Sequence, residues 1–198
     1  VVQEGNQRAM TEMLREDQLD LMLCNLVNQE GELEYEHLCW DPVIFLVQSA
    51  HPCCRYARYR DTFYHPWIDL REFEQEIFIL QHQGQSLRQY SDQLLEEAGL
   101  SPQRITQIQN IETAAQMAAN GLGVSFCLES YFRHMMFIQP PYRFSVGERQ
   151  LAADFSAAYR RGRQLPEYTV QFIHLLKNLM EMEVGRMVEM DKSVNKNL

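Results

Sequence analysis

Ile77-Phe78-Ile79-Leu80-Gln81-His82-Gln83-Gly84-Gln85-Ser86 decides how this chain is read. Four consecutive apolar residues are too few for a helix and fit a strand buried on both faces, and the polar run around Gly84 ends it. Ser86 then caps a predicted helix that places Leu87, Tyr90, Leu94, Leu95 and Ala98 on one face, with Gly99 closing it and Pro102 preventing its continuation. The unit repeats. Ile105 to Gln109 is a second strand, Asn110 a second cap, Ile111 to Asn120 an alanine-rich helix closed by Gly121, and Val124 to Cys127 a third strand. Strands alternating with helices in this way form a parallel sheet, so the fold class is α/β.

Working outward, Val1 to Glu4 reads as a strand, Gly5 as a turn and Asn6 as the cap of a helix carrying Met10, Met13 and Leu14 at helical spacing. Leu19 to Cys24 reads as a short buried parallel strand. Leu33 to Leu38 and Val43 to Val47 follow as two strands, with Asp41-Pro42 marking a turn between them. Residues 51–66 lack apolar periodicity and read as an irregular surface loop, with Arg55, Arg58 and Arg60 interleaved with Tyr56 and Tyr59. Leu151 to Tyr159 is a further strand, and Pro166 starts a long helix with Val170, Ile173, Leu176, Leu179 and Met180 inward. The pattern is lost beyond 183, and 189–198 reads as a frayed tail. The expected architecture is two Rossmann-like lobes joined by two crossover strands, residues 1–42 with 145–188 in one lobe and 43–144 in the other.

At 198 residues the chain can bury a sizeable core, and 45% hydrophobic content is not that of a disordered chain. No apolar run approaches 20 residues, which excludes a helical membrane span. Twenty-seven acidic against 18 basic side chains give a net charge of -9, the wrong sign for neutralising nucleic-acid phosphates. Five cysteines and no secretory signal point to the reducing cytoplasm rather than to a disulfide framework. His51 with Cys53-Cys54 lacks a completing set of metal ligands, so neither a metal nor a cofactor is expected. Gly121-Leu122-Gly123 leaves a helix and enters a strand, the reverse of the order a phosphate-binding loop requires. His82 has no nucleophile at recognisable spacing, and catalysis is not expected.

What remains is a binding function. In open α/β sheets ligands bind at the carboxyl ends of the strands, in a two-lobed chain in the cleft between lobes. The polar residues predicted there are Asn6 and Asn25 on one side, and His82, Gln83, Gln85, Ser86 and Asn110 on the other. Free N–H groups at three helix starts favour an anionic ligand, and Arg88 offers a neutralising charge.

These segments carry a resemblance. Glu4-Gly5-Asn6 followed by Leu19-Asp20-Leu21, His51-Pro52, Ser86-Leu87-Arg88 with Glu97-Ala98-Gly99-Leu100-Ser101-Pro102, Ile111-Glu112-Thr113 leading into Gly121-Leu122-Gly123-Val124, and Tyr159-Arg160-Arg161-Gly162-Arg163-Gln164-Leu165 are similar, in order and spacing over about 180 residues, to the effector-binding domain of LysR-type transcriptional regulators. The resemblance implies a type II periplasmic-binding-protein fold that takes a small effector between its lobes. It also implies a dimer or tetramer, and DNA contact only through an N-terminal helix-turn-helix domain outside this chain. The family's first strand and helix are likewise expected to precede residue 1. Helix 7–15, with Met10 and Met13 outward, is the expected dimer contact. Residues 81–88 contain no cysteine of the kind that peroxide sensors of the family carry. A solute-binding protein of the same fold is the alternative reading.

Overall fold

The computed structural model describes residues 2–194. Its elements, in chain order, are α1 (Gln7–Arg15), β1 (Met22–Leu26), β2 (Leu33–Val47), β3 (Ile77–Leu80), α2 (Ser86–Glu97), β4 (Arg104–Gln107), α3 (Ile111–Ala119), β5 (Val124–Leu128), α4 (Glu129–His134), β6 (Tyr142–Phe144), β7 (Ala152–Arg160) and α5 (Glu167–Val194). Two units divide the chain, one from the N-terminus to Trp40 and again from Asp154, the other Asp41–Ala153. Both passages between units fall inside strands, β2 and β7. Residues 145–153, expected in the first unit, belong to the second, where Val43 N–H donates to Leu151 O (2.9 Å) and Gln150 Nε2 donates to Val43 O (3.3 Å).

In the second unit β3 pairs in parallel with both β4 and β5, while β2 and β6 add antiparallel pairings beyond β5. One sheet face buries Phe45, Phe78 and Phe126, with Phe73 edge-on to Phe45 at 5.1 Å. The other face buries Ile44, Leu46 and Cys127 against Ala115 and Ala118 of α3. Small side chains let α3 lie close to the sheet. The turn from α3 into β5 needs glycine: Gly121 has φ +75°, and a Cβ on Gly123 would meet the Ile77 carbonyl oxygen at 2.3 Å.

In the first unit β1 runs antiparallel to β7, and β7 in turn neighbours β2. Leu14, Met22, Leu33 and Ala158 form a core on one side; Leu38, Ala157 and Ile173 form one on the other, under α5.

Several local expectations give way to tertiary pairing. Residues 2–6 lie in no strand, since no other segment among the described residues pairs with them, and Val1 lies outside that range. The strand expected at 19–24 sits at Met22–Leu26 and is antiparallel, because its partner is β7, some 130 residues later in the chain. Asp41-Pro42 makes no turn. It lies within the continuous strand β2, just before the register with β5 begins at Val43, so the missing proline N–H breaks no bond to β5. The cap position of α2 is Gln85, not Ser86. On α5 the inward stripe is Thr169, Ile173 and Leu176, whereas Val170 and Leu179 are 38% and 47% exposed. Helix α5 also continues to Val194, through the residues expected to fray; a stretch rich in Glu, Met and Val without proline has no reason to stop. Residues 195–198 of that expected tail lie outside the described residues.

Candidate functional site

The predicted binding residues of the second unit gather at the carboxyl ends of β3 and β4. Ile108 N–H donates to Leu80 O (2.9 Å), so the two segments stay paired up to the edge. Gln85 ties the edge together: its Oε1 accepts from His82 N–H (3.0 Å) and its Nε2 donates to Gln109 O (3.2 Å). The turn before α2 and the start of α3 are thereby joined, with Gly84 at φ +88° closing the turn. His82 and Gln83 are exposed there, and Ser86 is half-buried as the first residue of α2. Asn110 caps α3, its Oδ1 accepting from Thr113 N–H (2.8 Å) and Thr113 Oγ1 (3.2 Å).

Two helix starts thus converge, and α2 has no side-chain cap on its first amides. That arrangement favours an anion. Arg88 does not supply the expected neutralising charge. It is buried, with Nη1 donating to Gln81 O (3.0 Å) and Nε to Asp92 (2.8 Å).

In the first unit Asn6 caps α1, its Oδ1 accepting from Ala9 N–H (2.9 Å). Asn25 lies in β1 opposite Phe155, and its Oδ1 is buried with no hydrogen-bond partner. Met10, expected to face outward, packs against the core of its own unit.

Two features escaped the sequence reading. Gln81 is fully buried, and neither its Oε1 nor its Nε2 has a partner. In the sequence it reads as the first residue of the polar run around Gly84. The other is a buried ion cluster in the second unit. Glu129, 2% exposed at the head of α4, contacts His65 Nε2 (2.9 Å), Arg133 Nε (3.0 Å) and Arg143 Nη1 (2.6 Å). Burial alone would push the Glu129 carboxyl up. The hydrogen bond and charge of His65, the charge of Arg143 and the Arg133 hydrogen bond outweigh it and hold the group at about 2. Asp41, in β2, takes Ser130 N–H (3.0 Å) and the Ser130 hydroxyl. Only the Glu129/Arg133 spacing of four along a helix was legible; His65 and Arg143 arrive from distant segments. His51 caps the turn at Pro52–Tyr56, its Nδ1 accepting from Cys53 N–H (3.2 Å), and its Nε2 lies 3.3 Å from Glu76. An open groove of about 480 Å³ is lined by the second half of α2 and the turn to Pro102, together with Leu80 and Ile105.

This geometry, a parallel sheet with polar helix starts at its carboxyl edge, is that of a ligand-binding domain. The family model described as LysR substrate binding domain matches residues 1–181, and the chain belongs to that family. It is 30% identical over 116 residues to the uncharacterised HTH-type transcriptional regulator YybE of Bacillus subtilis (strain 168), covering 59% of this chain and 37% of that protein. It is 23% identical over 124 residues to the HTH-type transcriptional regulator CfxR of Cupriavidus necator, covering 63% and 36%. The match thus spans little more than a third of these relatives' length. Among solved structures the effector-binding domain of BenM with its effector benzoate superposes with a TM-score of 0.73 at 16% identity, covering 92% of this chain and 78% of that one. The CcmR regulatory domain of Synechocystis PCC6803 in complex with 2-PG gives 0.72 at 18% identity, covering 88% and 79%. The fold is that of these effector-binding domains, the type II periplasmic-binding-protein class.

Proposed function

We propose that this chain is the effector-sensing part of a longer bacterial transcriptional regulator. The carrying observation is its membership of the LysR substrate-binding domain family over residues 1–181. Its curated relatives are HTH-type regulators of nearly three times the matched length, which supports a DNA-binding segment elsewhere in the protein. The effector is a small anionic metabolite, taken at the carboxyl edge of the parallel sheet by His82, Gln83, Gln85, Ser86 and the start of α3 at Asn110. On the other unit Asn6 serves as a helix cap, and Asn25 offers a buried acceptor. Only a ligand that binds two arrangements of the protein unequally can transmit a signal to another domain. Self-association into a dimer or tetramer and residence in the cytoplasm complete the reading; among the described residues no helix is long and apolar enough to cross a membrane.

Thermal-shift screening of small organic anions tests it, benzoate and shikimate among them. A hit should lose about tenfold in affinity with Ser86→Ala, since one hydrogen bond to a charged ligand contributes about 1.5–3 kcal/mol. Undiminished affinity would move the site away from the start of α2.

A further inference from the structure

The Gln81 side chain is the least explained group in the second unit. Its exposure is 0%, yet its carbonyl and its amino group both lack a partner. A buried amide in that condition is costly, because each unpaired polar end forfeits the hydrogen bonds it made to water. Its backbone carbonyl, by contrast, accepts from Arg88 Nη1.

The direction of the side chain follows from the strand. Leu46 pairs with Ser125 and Ser125 with Ile79, so Ile79 shares the face on which α3 packs. Phe78 turns to the opposite face, among the phenylalanine rings. Gln81 follows Leu80, the last residue of the strand, and carrying the alternation one residue further places it on the α3 face. It lies at the sheet edge where α3 begins and where Gln85 joins the turn to Gln109. An amide with a free donor and a free acceptor thus lies at the sheet edge from which α2 and α3 start, helices of twelve and nine residues whose N-termini favour negative charge.

We propose that Gln81 is a specificity-determining contact for the effector, and that the effector is a hydroxy-carboxylate. The inference rests on the effector-binding reading above and narrows it. A carboxylate only accepts, so a plain acid would satisfy Nε2 and leave Oε1 bare. A hydroxyl beside the carboxylate supplies the missing donor, and the pair engages both ends of the amide while its charge meets the helix starts. An uncharged carboxamide matches the amide as well but gains nothing from the helix dipoles.

Matched acids test this on the purified chain: malate against succinate, and salicylate against benzoate, each titrated by thermal shift and calorimetry with the wild type and with Gln81→Met, a substitution that keeps the length and removes both polar ends. The wild type should bind the hydroxy acid of at least one pair about tenfold or more tightly than its partner. Gln81→Met should erase that preference. Unliganded Gln81→Met should melt no lower than the wild type, because it deletes an unpaired group rather than a bond. A lower melting temperature, or a hydroxy-acid preference retained in Gln81→Met, would overturn the assignment. Wild-type binding of benzoate or succinate as tight as that of the hydroxy acids would also overturn it while leaving the effector reading intact. If none of the four acids binds, the hydroxy-carboxylate assignment falls, and the wider anion screen decides the effector reading separately.

Discussion

Glu129 concentrates the electrostatics of the second unit in one carboxylate. Its pKa is about 2 in the folded protein against an ordinary 4.5, so its ionised form is favoured by folding. With the folded value depressed, the contribution is fully present above pH 4.5 and disappears as the pH falls through about 2; its size is about 3 kcal/mol. Denaturant unfolding between pH 2 and 6 should show this loss in the wild type and a visibly flatter profile in Glu129→Gln. Asp41 acts in the opposite sense: burial pushes its carboxyl up against the Ser130 hydrogen bonds, so acid relieves a penalty there and offsets part of the Glu129 loss. At neutral pH, Glu129→Ala leaves Arg133 and Arg143 facing each other without a counter-charge. It should cost about 3–5 kcal/mol, read from the denaturation midpoint. His65 and Arg143 lie 64 and 14 residues from Glu129 in the chain, and no spacing rule would have joined them.

At the scale of elements, glycines and the caps of α1 and α3 were readable, the cap of α2 was not, and the inward stripe of α5 was readable only in part. Asn6 and Asn110 cap α1 and α3 as their positions before the apolar stripes imply, and Asn110→Ala should cost about 1 kcal/mol in equilibrium unfolding. The strand at 77–80 and the helix after it stand where the apolar runs place them, because a doubly buried strand and a one-faced helix leave strong local patterns. Helix α5 is different. Its apolar residues surround much of the helix, so the sequence admits more than one inward stripe, and docking on β7 and β2 selects Thr169, Ile173 and Leu176. Ile173→Ala should therefore destabilise by about 2–5 kcal/mol and Val170→Ala by less than about 1, measured side by side by thermal or denaturant unfolding. Equally large losses at the two positions would restore the stripe that the sequence suggests, in which both face inward.

Across the whole molecule the charge is uneven: residues 1–40 carry nine acidic and two basic side chains. A surface so acidic repels polyphosphate, and counterion release offers it nothing. Fluorescence anisotropy at about 0.15 M salt should accordingly detect no binding of this chain to duplex DNA, with or without an effector. Binding by the chain alone would contradict the division of labour proposed here.

By itself the sequence determined the α/β class, the repeated strand and helix unit from Ile77 to Cys127, the caps of α1 and α3 and the family, because each is written in local spacing or in short motifs held in order over the chain. The tertiary structure alone decided which strands pair and in which direction, as with β1 against β7 and the unbroken β2 through Pro42. It alone brought His65 and Arg143 to Glu129, and it left Gln81 buried with both ends unpaired. Pairing and burial depend on segments far apart in the chain, and a glutamine in a polar run looks the same whether its neighbours turn out to be water or a sheet edge.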